Sequence, residues 1–345
     1  MLAPKYSFDP ETLREVAEDQ DLARAYADDL LASYRARALS PELQRKMGPE
    51  LIQWLRISGQ YSRAEEVART GLTKAGGAEI LEQLADPNAP VVVRADMTLV
   101  ATRLATALLW NAESDATKIS QAADLLDACE FSLNSAIYAD KAADEDNITR
   151  LGFVLQHRAK LRLEMDDRIL ALRDANLALT LRTNQHAPDD LIASSQFSVD
   201  AILNLIERDI EEQVNAAGAS IATETFAAGD RSGFGAVSGT NRIGPWLFWH
   251  KGGRLKSAGH YVNDQLTGPW VWFREQGGLL QEGSFVDNLQ EGLWIRYRAN
   301  GHYLDRGEFS AGQKTGAWQY FNEDGSLRSS QTHKLKLKAR LSKLF

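Results

Sequence analysis

The sequence predicts an α+β protein of two domains, an all-α array of helical hairpins followed by an antiparallel β-meander. Three observations predict it. Apolar residues recur at three- and four-residue spacing from Asp9 to about Val214, the period of helices with one buried face. From Ile243 to about Arg328 a 24-residue pattern of glycines and aromatic residues repeats without a gap. The charge changes sign between the two regions. Residues 1–215 hold 23 Lys and Arg against 36 Asp and Glu, a balance of −13; residues 216–345 hold 16 against 11, a balance of +5. The chain of 345 residues is long enough for two cores, and its 44% hydrophobic and 25% charged content is that of a globular protein. The divisions expected are a helical domain 1–214, a stretch 215–242, hairpin repeats 243–332 and a basic tail 333–345.

Helix starts in the first region are marked by a capping residue, a proline that fits the first turn and an acid that meets the helix dipole. Asp9-Pro10, Ser40-Pro41-Glu42 and Pro188-Asp189-Asp190 each carry this logic. The segment Leu51-Ile52-Gln53-Trp54-Leu55 leads to Gly59-Gln60-Tyr61, Ala64, Ala68 and Gly71-Leu72, with Gly59 ending one helix and Ser62 and Glu65 expected to cap the next. Arg158 to Leu161 leads through Met165-Asp166-Asp167 to Ala171, Asp174 and Ala178-Leu179, a second copy without the turn glycine. Met97 to Trp110 and Ile119 to Leu133 form a third, degenerate pair. These segments resemble the tetratricopeptide-repeat helix pair, whose turn lets two antiparallel helices touch through small residues. The resemblance covers most of residues 45–185 but does not keep a regular period, and an irregular helical bundle accounts for the same pattern.

Residues 215–242 are rich in Ala, Gly, Ser and Thr, which suits a linker. Gly229, Gly235 and Val237 stand 24 residues before Gly253, Gly259 and Tyr261, which suits instead a decayed first hairpin.

In the repeats Gly244, Gly268, Gly292 and Gly316 are each followed two places later by Trp246, Trp270, Trp294 and Trp318. Trp249, Phe273, Tyr297 and Phe321 come next, then Gly253, Gly277, Gly301 and Gly325, then Leu255, Leu279, Tyr303 and Leu327. Gly259, Gly283 and Gly307, with Tyr261, Phe285 and Phe309, complete the unit. Short alternating aromatic strands suit a half-buried pleated surface. Gly252-Gly253, Gly277-Gly278, Asn300-Gly301 and Asp324-Gly325 are expected as two-residue hairpin loops; Asn263-Asp264, Asp287-Asn288 and Ala311-Gly312 connect one hairpin to the next. The pattern is similar to the MORN-repeat family, in particular its bacterial, antitoxin-like variant. That resemblance implies an elongated single-layer sheet used for protein association, and in some members for contact with membrane phospholipid. It implies no activity.

Strand alternation puts Trp246-Phe248-His250, Trp270-Trp272-Arg274, Trp294-Arg296-Arg298 and Trp318-Tyr320-Asn322 on one face. Trp and Arg dominate binding hot spots, so Trp246, Trp270, Trp272, Arg274, Trp294, Arg296, Arg298, Trp318 and Tyr320 are the expected partner-binding residues. The competing reading makes the Trp column the core of the fold and the arginines its rim. The opposite face, Leu247-Trp249, Val271-Phe273, Ile295-Tyr297 and Gln319-Phe321, is assigned to packing. In the tail, Lys334, Lys336, Lys338 and Arg340 alternate with apolar residues, as in an edge strand, while Leu337, Leu341 and Leu344 lie at helical spacing, as in a basic amphipathic helix that docks on an acidic partner or anionic membrane.

Catalytic and metal motifs are absent from the sequence: no GxxxxGK[ST], HExxH or GxSxG occurs, the six histidines are scattered, and Cys129 is the sole cysteine, read as a buried helix residue. No catalytic residue, cofactor or metal is therefore expected. The expectation is a cytoplasmic, non-enzymatic adaptor that binds a protein partner, with self-association through the sheet as a further use. An antitoxin or immunity-type inhibitor and a scaffold on anionic membrane are the alternatives; nucleic acid ranks last.

Overall fold

The computed structural model describes residues 2–36, 40–139 and 144–335. The chain has an α+β architecture in two compact units, one formed by Met1–Asp167 with Leu181–Ile202, the other by Arg168–Thr180 with Leu203–Phe345. The division therefore falls within two helical stretches, and the Ala/Gly/Ser stretch 215–242 lies wholly in the second unit.

The first unit opens with a small hairpin, β1 (Tyr6–Phe8) and β2 (Glu15–Ala17), paired antiparallel. Asp9-Pro10 does not start a helix. The Asp9 carboxylate accepts from the amides of Glu11 (2.7 Å) and Thr12 (3.2 Å), and so closes the turn of this hairpin. The capping chemistry is legible in the sequence, but Asx turns and helix N-caps share it. The helices follow as α1 (Gln20–Arg35), α2 (Pro41–Ile57), α3 (Tyr61–Lys74), α4 (Ala78–Ala85), α5 (Thr98–Trp110), α6 (Ala116–Ala139), α7 (Asp144–Glu164), α8 (Arg168–Asn184) and α9 (Asp189–Ala217). Asp19 caps α1 through the Leu22 amide at 2.9 Å, and Ser40 caps α2 through the Leu43 amide at 3.2 Å with Pro41 in the first turn.

Gly59 ends α2 at φ +75°, and the Gln60 amide returns to the Leu55 carbonyl at 2.7 Å. Asp166 takes the same place after α7 at φ +57°, with Asp167 donating back to Arg162 at 2.8 Å. Aspartate tolerates this left-handed conformation better than most side chains, so the turn survives without glycine. Ser62 and Glu65 do not cap α3: Ser62 turns to Asn111, and Glu65 binds Asn111 (2.7 Å) and Arg69 (2.8 Å). Helix α5 is apolar around most of its circumference because it packs against α3, α6 and α7, which makes Leu104 and Leu108 the centre of this core. Cys129 of α6 is fully buried beside Thr102, and burial pushes its thiol up to about 12.

The second unit is a ten-stranded antiparallel meander in sequence order, from β3 to β12. Its strands are β3 (Ser220–Thr225), β4 (Arg231–Ser238), β5 (Asn241–Trp249), β6 (Leu255–Val262), β7 (Gln265–Phe273), β8 (Leu279–Val286), β9 (Leu289–Tyr297), β10 (Tyr303–Ser310), β11 (Gln313–Phe321) and β12 (Leu327–His333). Between 215 and 242, α9 ends and β3 and β4 form a hairpin in frame with the others, so the unit has five hairpins rather than four and a linker.

The glycine-rich turns are not the two-residue loops that the sequence suggests. They are three-residue loops: His250 and Arg254 pair across the loop (2.8 Å), and the Gly253 amide donates to the His250 carbonyl (2.9 Å). The same bonds recur at Gly229, Gly277, Gly301 and Gly325, all at positive φ. That is a type I turn closed by a left-handed residue, which only glycine adopts freely. The two-residue loops are instead Asn263-Asp264, Asp287-Asn288 and Ala311-Gly312, both residues of each at positive φ, the mirror-image turn that matches strand twist.

Candidate binding surface on the aromatic sheet

The repeat places three rows of side chains across one face of the sheet, each row perpendicular to the strands. The first is the Trp column. Trp246, Trp270, Trp294 and Trp318 are between 1% and 3% exposed. Each indole lies flat on a glycine eleven residues earlier: a Cβ built on Gly235, Gly259, Gly283 or Gly307 would stand 2.1–2.4 Å from ring atoms. Each indole N–H donates to a backbone carbonyl ten residues back, those of Ala236, His260, Ser284 and Glu308, at 2.9–3.1 Å. Glycine is required in this column because the ring occupies the space a side chain would need.

The second row, Tyr261, Phe285 and Phe309, seals the first by edge-to-face contact, with centroids 5.1 Å from Trp270, Trp294 and Trp318 respectively. The four column tryptophans are thus interior, as the competing reading has it, and offer a partner almost no surface.

The third row holds the side chains that this face leaves partly open to solvent, interspersed with two buried polar residues, Ser257 and Asp305. In register across the strands run Phe248, Ser257, Trp272, Gln281, Arg296, Asp305, Tyr320 and Ser329. Phe248, Trp272 and Tyr320 are half-buried and Arg296 is exposed. Trp272 stacks on Trp270 at 5.6 Å and leans on Trp294 at 5.9 Å, so its ring is held by the interior row. Arg296 makes a two-pronged pair with the buried Asp305 carboxylate, 2.8 Å from Nε, and that bond raises the arginine's pKa above its ordinary value. The guanidinium is therefore fixed in place as well as charged.

Cations sit at both ends of the rows. Arg242 lies 5.0 Å over Trp246 and 5.8 Å over Phe248 and pairs with Glu224 at 2.9 Å. Lys314 lies 3.7 Å over Trp318 and 5.5 Å over Tyr320. These two occupy one repeat column, filled by Leu266 and Gln290 in the inner repeats.

The remaining expected residues have different roles. Arg274 and Arg298 lie past the strand ends and donate to the carbonyls of Tyr297 (2.7 Å) and Phe321 (2.9 Å), each tying one hairpin to the next. His250 meets the Phe273 carbonyl at 3.1 Å in the same column. Of the nine residues, the structure brings Trp272, Arg296 and Tyr320 together as surface. It adds Phe248, Arg242 and Lys314, with Asp305 buried behind Arg296, which the 24-residue columns reveal once burial is assigned row by row. Lys334 is exposed just beyond β12; Lys336, Lys338 and Arg340 fall outside the described residues.

The opposite face takes helical segments of the same unit. Arg173 of α8 binds Glu282 through two hydrogen bonds of 2.9 and 2.8 Å and Tyr297 at 3.2 Å, while Leu247, Ala258 and Val271 are fully buried. Toward the last repeats this face carries Ile295 and Gln319, which are only half-buried.

The helical unit holds a separate cluster of ionisable groups. Glu15 lies 3.4 Å from Lys160 and 3.6 Å from Arg56, all three buried, and the Trp110 ring lies under Arg56 (4.7 Å) and Arg14 (5.3 Å). Burial works to raise the Glu15 pKa, but Lys160, Arg56 and His157 overcome it and hold the carboxyl at about 2. His157 is driven well below its ordinary value, first by burial and then by Lys160 and Arg56. This is a buried ion network. Among the described residues no group of three or more metal-ligating side chains converges, and no helix is long and apolar enough to cross a membrane. The chain matches no family model and no curated protein.

Proposed function

We propose that the chain is a non-enzymatic interaction protein that recognises a protein partner with the row Phe248, Trp272, Arg296 and Tyr320. The observation that carries this reading is that aromatic and guanidinium side chains stay at the surface of a face whose apolar demand is already met by the buried Trp row. Each is held from below or beside, so little side-chain freedom is lost on binding, and Trp, Tyr and Arg are the residues that concentrate interface energy. Half-buried Gln281 supplies a polar group between the anchors Trp272 and Arg296, while buried Asp305 holds Arg296 in place. The similarity of the hairpin pattern to MORN repeats, whose sheets serve protein association, supports the same reading.

The test is affinity capture from the native host with the full chain, comparing wild type with Arg296→Glu and with Trp272→Ala/Tyr320→Ala. A protein retained by wild type and lost from both variants is the expected result. Equal retention by all three would place recognition elsewhere.

A further inference from the structure

The helical unit contains a cavity of about 640 Å³ bordered by α1, α2, α3, α5 and α7. That is within the size range of small-molecule sites. It is open because small residues line its walls: Gly71 and Ala75 from the end of α3, and Gly48 from α2. Its floor is apolar, made by Ile52, Val67, Leu99 and Val100.

Four cations border this apolar space: Arg45, Lys74, Arg103 and Arg150. Lys74 donates to Gln44 at 2.9 Å, and Arg150 is bound by Asp146 and by the Ala95 carbonyl at 3.1 Å. Among the described residues the one carboxylate on the lining, Asp96, is engaged by Arg94 through bonds of 3.1 and 3.2 Å. Neither Arg45 nor Arg103 has an ion-pair or hydrogen-bond partner for its guanidinium among the described residues, but Arg45 is exposed whereas Arg103, on α5, is half-buried beside the apolar lining. A half-buried guanidinium without a protein partner, next to apolar surface, is a counter-charge available to an anion.

We propose that this cavity binds a small monocarboxylate with an apolar body, the chain or ring lying on Ile52, Val67, Leu99 and Val100 and the carboxylate on Arg103. The lining favours such a molecule over a peptide. A peptide brings a backbone N–H at each residue and needs acceptors, but the Asp96 carboxylate and the Gln44 oxygen are already used. A carboxylate needs donors only, and the lining supplies an excess of them. The site is independent of the sheet surface and does not rest on the reading given for it.

The probe is dodecanoate, titrated calorimetrically into the full chain below its aggregation concentration, with dodecan-1-ol and dodecyltrimethylammonium as comparators of equal chain length. Expected is saturable binding at one site per chain, with the alcohol and the ammonium about tenfold weaker or worse, the scale of one charge-assisted contact. Arg103→Gln should weaken dodecanoate by about tenfold or more and leave the unliganded melting temperature unchanged or raised, since an unpaired charge has been removed. Gly71→Leu points a side chain into open space on a helix that tolerates it, so it should fill the cavity and abolish binding with the fold intact. Absence of saturable binding, equal affinity for the alcohol, or dodecanoate binding untouched by both substitutions would overturn the assignment.

Discussion

The two units hold themselves together by opposite means. The sheet repeats one contact: an indole on a glycine, its N–H on a carbonyl ten residues back, set at four sites spaced 24 residues apart. The helical unit repeats almost nothing. Its turns after α2 and α7 share geometry but use Gly59 in one place and Asp166 in the other, and its buried ion network of Glu15, Arg56 and Lys160 occurs once. A repeated contact spreads stability over neighbours, each of which meets only the next. A single network concentrates it.

The largest effect should come from breaking the contact that occurs once. Glu15→Ala leaves Arg56 and Lys160 buried without their carboxylate and is expected to cost about 3–5 kcal/mol, read from urea unfolding followed by helical ellipticity. A loss below about 1 kcal/mol would mean that the network is not a keystone.

The repeated contact gives a different signature. Gly259→Ala, Gly283→Ala and Gly307→Ala should each cost roughly 3 kcal/mol, because the indole must leave its seat. The three losses should agree to within about 1 kcal/mol, since the sites are copies with nearest-neighbour contacts. Unequal losses would show that the repeats are alike in sequence but not in energy.

Acid should act through the helical unit's network. The Glu15 carboxyl sits at about 2 when folded against 4.5 as its ordinary value, so its contribution is complete above about pH 4.5 and disappears as the pH falls toward 2. His157 is held neutral in the fold, so below its ordinary value of 6.5 the unfolded chain takes up a proton that the native chain refuses. Helical stability is thus expected to decline gently below pH 6.5 and more steeply below pH 4.5, measured by urea midpoints across that range. Glu15→Gln should flatten the steeper part.

A smaller effect belongs to the turns. Gly301→Ala should cost about 1–2 kcal/mol, the penalty for placing a Cβ in the left-handed region. The space around Gly301 is open, so the added methyl meets no neighbour and the backbone penalty stands alone.

What is legible in the sequence follows the same division. The sheet can be read nearly to the residue because identical contacts leave identical columns, whereas the helices can be read as a class but not as junctions. Asp9-Pro10 misleads because a local signal does not say whether a turn continues into a helix. The glycine-rich turns mislead because a glycine pair looks like a two-residue loop; the closing bonds His250 to Arg254 and Gly253 to His250 make these three-residue loops. The surface row is only partly legible for a further reason. Strand alternation puts Trp270 and Trp272 on the same side, and only the glycine beneath Trp270 tells that one ring lies flat and buried while the other stands above it. The cavity and the ion network of the helical unit join residues from hairpin, α2, α3, α5 and α7 that no spacing rule brings together.

That distinction between two tryptophans two residues apart is the centre of the account, and side-by-side urea unfolding of Trp270→Ala and Trp272→Ala tests it directly. Loss of the buried ring should cost about 3–5 kcal/mol, and loss of the surface ring about 1 kcal/mol or less. Equal losses, or the larger loss at Trp272, would contradict the assignment of one row to the fold and the next to recognition.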